Sequence, residues 1–128
     1  AAPAAKAVAA VAPVAPLLAA ANIENGKAKF RLCAACHTAT EGGKNLIGPN
    51  LWNVVNGKRG VAEGFSYSSG LKGLGGAWGY EDLNSFIANP KQYVPQTKMT
   101  FAGLPKAGDR ADVIAYLRTF SASPAALP

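Results

Sequence analysis

A chain of 128 residues, 49% of them apolar, can bury one hydrophobic core and is too short for two independent ones. Thirteen Lys and Arg against seven Asp and Glu give a formal charge of +6. The cations are spread along the chain rather than gathered in a run, which argues against nucleic acid and suits docking onto acidic proteins through steering that salt weakens. Fourteen glycines and nine prolines with few long periodic runs point to short helices and ordered loops, held by something beyond their own apolar contacts.

Residues 1–21 are Ala, Pro, Val and Leu with a single charge, Lys6. The apolar run is shorter than a membrane span and is broken by Pro13 and Pro16, so a transmembrane helix is not expected. Two readings stand: a linker to an anchor or another domain outside this chain, or an extension packed on the surface. Asn22 is a candidate N-cap, and Ile23 to about Cys36 reads as the first helix, with Glu24 well placed in its first turn. Gly26 inside that helix implies close approach by another element, with Phe30 one turn on as its packing partner. Loops follow through Gly42-Gly43 and Gly48-Pro49-Asn50-Leu51, and from Asn56 to Gly64.

Residues 70–79 hold five glycines and Trp78. Leu83, Phe86 and Ile87 at helical spacing predict a short helix from Tyr80 to Asn89, stopped by Pro90, with one more turn to Tyr93. Gly108 to about Ser121 is the last predicted helix, with Val113, Ile114, Leu117 and Phe120 on its apolar face. The tail 123–128 is small, polar and proline-ended, and is expected to fray. With no strand pair and no internal repeat, the expected class is all-α: an extension at 1–21, a single domain at 22–122 and the tail.

The chemistry sits in Cys33-Ala34-Ala35-Cys36-His37. Two residues between the cysteines turn both sulfurs to one side of a helical turn, and the adjoining imidazole can reach a metal held there. The C-x-x-C-H pattern is that of covalent haem attachment. Zinc would need four protein ligands, or three plus water, from a chain with two cysteines and one histidine. A thioredoxin-like pair would need a βαβ setting that the flanks lack. His37 is the only histidine and Met99 the only methionine, so His/Met is the one soft-ligand pair available for iron, a ligation typical of electron carriers. Met99 follows the polar, proline-stiffened Pro95-Gln96-Thr97-Lys98, an unsuitable place for core filler.

Several stretches taken in order resemble class I cytochromes c of the mitochondrial and alphaproteobacterial type: C-A-A-C-H-T (33–38), G-P-N-L-W (48–52), E-G-F-S-Y (63–67), Trp78, N-P-K-Q-Y-V-P-Q-T-K-M (89–99), F-A-G (101–103) and D-V-I-A-Y-L (112–117). The resemblance implies one haem c on thioethers from Cys33 and Cys36, with His37 and Met99 as axial iron ligands. It also implies that the Pro49 carbonyl accepts the second ring N–H of His37, and that Tyr67, Trp78 and Thr97 donate to haem propionates. Gly26, Phe30, Val113 and Tyr116 would form the crossing of the first and last helices.

Four positions depart from the family pattern. Asn56-Gly57 stands where Gly-Arg is usual, which leaves open whether Arg59 replaces the arginine that commonly neutralises a propionate. Gln96 replaces a glycine, Phe86 stands where many members have tyrosine, and Phe30 lies one residue closer to Cys33 than usual.

The function implied is one-electron shuttling between redox proteins, without enzymatic turnover, by a monomer in the bacterial periplasm. Partners implied by the family are a quinol:cytochrome c reductase, a terminal oxidase or a periplasmic dehydrogenase. Candidate docking lysines are Lys27, Lys44, Lys91, Lys98 and Lys106. The alternative is an electron-relay domain or subunit of a larger, membrane-anchored assembly; a haem sensor or peroxidase would require Met99 to leave the iron.

Overall fold

A computed structural model describes residues 11–59, 65, 67, 71, 75–94 and 97–128. Residues 1–10, most of the loop expected between Asn56 and Gly64, and the Gln96 departure lie outside the described residues. Five helices are described: α1 (Ala15–Leu18), α2 (Ile23–Ala34), α3 (Tyr80–Ala88), α4 (Pro90–Tyr93) and α5 (Ala107–Arg118). The one β feature described is an isolated bridge between Lys58 and Ala77, so the class is all-α.

Asn22 caps α2, its side chain accepting the Asn25 N–H at 3.0 Å, and Glu24 lies in the first turn where the helix dipole favours an anion. Asn89 is extended, closing α3 and capping α4 by accepting the Gln92 N–H, with Pro90 in the first turn that its missing N–H tolerates. Both helix ends therefore follow from local chemistry.

The crossing of α2 and α5 is the main frame. An ideal Cβ on Gly26 would stand 2.0 Å from the Asp112 carbonyl oxygen and 2.9 Å from Tyr116 Cβ, so only glycine lets the helices approach this closely. Phe30 then tilts against Tyr116 at 5.5 Å, and Val113 and Ile114 are fully buried below them. Asp112 locks the start of α2, accepting the Asn22 N–H at 2.8 Å and Asn25 Nδ2 at 2.7 Å. The crossing has the membership implied by the resemblance.

Residues 11–21, expected as linker or extension, lie against this frame. Val14 and Leu18, four apart and so on one face, are 0% and 3% exposed within the common core. The tail does not fray: Tyr80 hydroxyl donates to the Ala126 carbonyl at 2.9 Å and Arg118 Nε to the Ala125 carbonyl at 2.6 Å. Long-range side chains satisfy backbone that has no local partner. Among the described residues no helix is long and apolar enough to cross a membrane.

Candidate haem site

Cys33 ends the apolar face of α2, and the helix closes with both the Cys36 and the His37 N–H on the Cys33 carbonyl, at 3.0 and 2.9 Å. This shared acceptor carries the chain from helix to loop just where the imidazole is needed, although Phe30 sits only three residues before Cys33. Neither cysteine is in a disulfide. Burial, with the neighbouring Cys36, pushes the Cys33 thiol up to about 11, so it is a neutral thiol at physiological pH.

His37 is held from two sides. Its Nδ1 lies 2.7 Å from the Pro49 carbonyl, and a carbonyl can only accept, so Nδ1 carries the proton and Nε2 the lone pair. Burial lowers the imidazole pKa, opposed by the Pro49 bond, and keeps the ring neutral. Gly48 packs flat on the ring: a Cβ there would stand 2.3 Å from His37 Cε1.

The loop is braced by Asn50. Its Nδ2 reaches Thr38 Oγ1 and the Thr40 carbonyl, both at 2.9 Å, and its Oδ1 accepts the Trp52 N–H at 3.0 Å. Gly48 and Asn50 were not singled out in the sequence as site residues, though the G-P-N run carried the signal.

Met99 is half-buried in the segment after α4, its N–H donating to Thr97 Oγ1 at 3.1 Å, which leaves the Thr97 hydroxyl proton free to turn elsewhere. Trp78 is buried, with ring centroids 5.0 Å from Phe86 and 6.0 Å from Tyr93. Tyr67 meets Phe65 edge-on at 4.9 Å.

Arg59 reaches into the Trp78 cluster, its guanidinium carbon 4.7 Å from the Trp78 ring centre. Its Nη2 donates to Tyr93 hydroxyl at 2.5 Å and pairs with Asp82 at 3.1 Å, and Nη1 donates to the Gly75 carbonyl at 3.2 Å. Its Nε is buried with no hydrogen-bond partner among the described residues. A charge-assisted donor left over in a buried aromatic wall calls for an anion.

Tyr93 donates to Asp82 at 2.9 Å, and its phenol is pushed up to about 12, by burial first and the Asp82 bond second, against the Arg59 charge. An unfolded tyrosine titrates near pH ~10, so the folded state holds this proton more tightly. The resulting stability is complete below about pH 10 and is lost as pH rises toward 12. Tyr93→Phe is expected to flatten this alkaline loss relative to the unmodified protein in urea midpoints measured across that range.

These residues fit haem c: two unbridged sulfurs and a neutral, oriented imidazole on one turn, a wall of aromatic rings, and a buried cationic donor for an acidic group. The Cytochrome c family model matches residues 23–121. A cytochrome c homolog of Bradyrhizobium diazoefficiens is 52% identical over 113 residues, covering 88% of this chain and 61% of its own length. Cytochrome c-550 of Ancylobacter novellus is 47% identical over 100 residues, 76% of this chain and 94% of its own. Among solved structures, cytochrome cH from Methylobacterium extorquens superposes with a TM-score of 0.69 at 40% identity, covering 77% of this chain and 98% of the other.

An all-α domain with covalently attached haem c is the class these findings define. The chain belongs to the cytochrome c family, class I. It spans about three-fifths of the length of the longer relatives that it matches.

Proposed function

We propose that the whole protein is a one-electron carrier of a bacterial periplasm, with Cys33 and Cys36 as thioether anchors and His37 and Met99 as the axial ligands. The observation that carries the reading is the His37 ring, fixed by Pro49 at 2.7 Å through Nδ1 and packed against Gly48, which leaves Nε2 as the lone-pair donor. Bound there, haem c supplies a reversible Fe(III)/Fe(II) couple. The chain's part is to hold both ligands through the cycle, to keep water from the ring with Trp78, Phe86 and Tyr93, and to offer Arg59 Nε, Trp78, Tyr67 and Thr97 to the propionates. If His37 and Met99 both held the iron, the bound haem would offer no position for substrate, which supports a carrier over an enzyme.

Reversible one-electron titration, a near-infrared sulfur-to-iron band in the oxidised protein, and no carbon monoxide binding by the reduced protein are the expected results. Tight carbon monoxide binding at neutral pH would favour a sensor or peroxidase instead.

Docking divides into steering and contact. Lys27, Lys44, Lys91, Lys98 and Lys106 are all exposed. Beside the cysteine-histidine segment stand Leu32, Leu46 and Ile47, exposed to 57%, 45% and 79%, an apolar surface suited to short-range contact with a reductase, oxidase or dehydrogenase. Reversing the charge of Lys91 and Lys98 together is expected to slow reduction by the partner on the order of tenfold at low salt, with the difference closing as salt is added. Ile47→Ser is expected to slow it at every salt concentration. Stopped-flow rates across ionic strength separate the two, and unchanged rates would remove these residues from the docking face.

The relay reading is favoured by one observation, the greater length of the Bradyrhizobium and Rickettsia relatives. Purification in a stable complex with a dehydrogenase or oxidase would select it over the free carrier.

A further inference from the structure

Aromatic residues aside, Asn84 and Arg110 are the buried residues with polar or charged side chains among those described, 1% and 4% exposed, and they touch each other. Arg110 has no carboxylate. Its Nε donates to Asn84 Oδ1 at 2.7 Å, and its Nη1 to the carbonyls of Leu104 at 2.8 Å and Pro105 at 2.9 Å. A guanidinium only donates, so the Asn84 amide must turn its oxygen toward Arg110 and its NH2 away.

That NH2 meets the N-terminal segment, donating to the Ala12 carbonyl at 2.9 Å and to Glu81 Oε1 at 3.2 Å. Glu81 in turn accepts the Val14 N–H at 2.9 and 3.1 Å and the Ala15 N–H at 2.8 Å. On the other side, the Leu104 N–H is bonded to the Ile87 carbonyl at 2.9 Å, and Gly103 at φ +119° lies so close to Ala88 that a Cβ would stand 2.2 Å from its carbonyl oxygen. Leu104 and Pro105 are the return limb of the segment that presents Met99.

We propose that residues 12–18 are a strap, seated on α3 and α5, whose seating is coupled through Asn84 and Arg110 to the return limb of the Met99 segment. The buried guanidinium makes the coupling two-way: its Nε and Nη1 donors are taken up by Asn84, Leu104 and Pro105, and displacing any of these acceptors leaves a charged donor short of a partner. Unseating the strap removes the Ala12 carbonyl and frees the Glu81 carboxylate to move, the two acceptors that hold the Asn84 amide in its orientation, and weakens the grip of Arg110 on Leu104 and Pro105. Displacement of residues 12–18 would therefore reach the methionine segment.

Amide hydrogen exchange by NMR on the full haem-loaded chain tests it, comparing the unmodified protein with Glu81→Ala. Glu81 is exposed, so its removal leaves the core intact. Loss of two charge-assisted acceptors is expected to speed exchange of the Val14 and Ala15 amides by on the order of tenfold or more. The Leu104 amide is expected to speed up by roughly threefold or more, a fraction of the primary effect since it feels the strap through two side chains. The Gly26 amide, at the α2–α5 crossing, is expected to hold its rate. Glu81→Gln, which keeps the shape and loses the charge, should fall between. Fast Val14 and Ala15 exchange in the unmodified protein would overturn the strap, and an unchanged Leu104 amide would overturn the coupling. Equal acceleration at Gly26 would mean general loosening and would overturn it as well.

Discussion

Met99→Leu is expected to abolish the near-infrared sulfur-to-iron band and to lower the reduction potential by on the order of a tenth of a volt or more, since axial ligands place haem potentials across a range of ~0.8 V. The size follows from the inventory. With one histidine and one methionine in the chain, no second soft ligand can take over. Leucine fills a similar volume, so packing of the half-buried side chain is largely kept and the effect reads the lost bond. The reduced variant is expected to bind carbon monoxide, which the unmodified protein would not. Persistence of the band would exclude Met99 as the ligand.

Gly26→Ala is expected to destabilise the fold by ~3 kcal/mol or more, a fall in Tm of about 10 °C for a domain of this size. Two effects compete here. Alanine in a helix interior gains up to ~1 kcal/mol over glycine. Against that, the new methyl would sit 2.0 Å from the Asp112 carbonyl oxygen, which belongs to the backbone of α5 and cannot swing aside. Relief requires the helices to part, and that opens the packing of Phe30 on Tyr116 and strains the Asp112 bonds to Asn22 and Asn25. The clash therefore outweighs the propensity gain. A thermal melt settles the sign, and a Tm at or above that of the unmodified protein would show that the crossing has slack.

Local chemistry was legible wherever a residue acts on its near neighbours. Asn22 caps α2, Asn89 and Pro90 divide α3 from α4, and Gly26 announces a close crossing because glycine inside a helix is otherwise a cost. Cys33, Cys36 and His37 are readable for the same reason: five consecutive residues contain the geometry. Arg59 was different. Its charge and position were plain, but its direction was set by Tyr93 and Asp82, 34 and 23 residues further on, and by the Trp78 ring.

Taken by itself, the sequence determined an all-α haem domain, the covalent attachment motif, and a sole imidazole and sole thioether, because these depend on residue identity and short spacing. Tertiary structure alone decided that Val14 and Leu18, within the alanine- and proline-rich stretch, are part of the core, that Tyr80 and Arg118 hold the tail, and that Arg59 Nε is buried with no partner among the described residues. The physical reason is common to all three. Val14 and Leu18 carry only generic apolar character, and the unpaired backbone of a terminal segment is satisfied by side chains such as Glu81 and Asn84 that lie some 70 residues away, a pairing no local pattern encodes.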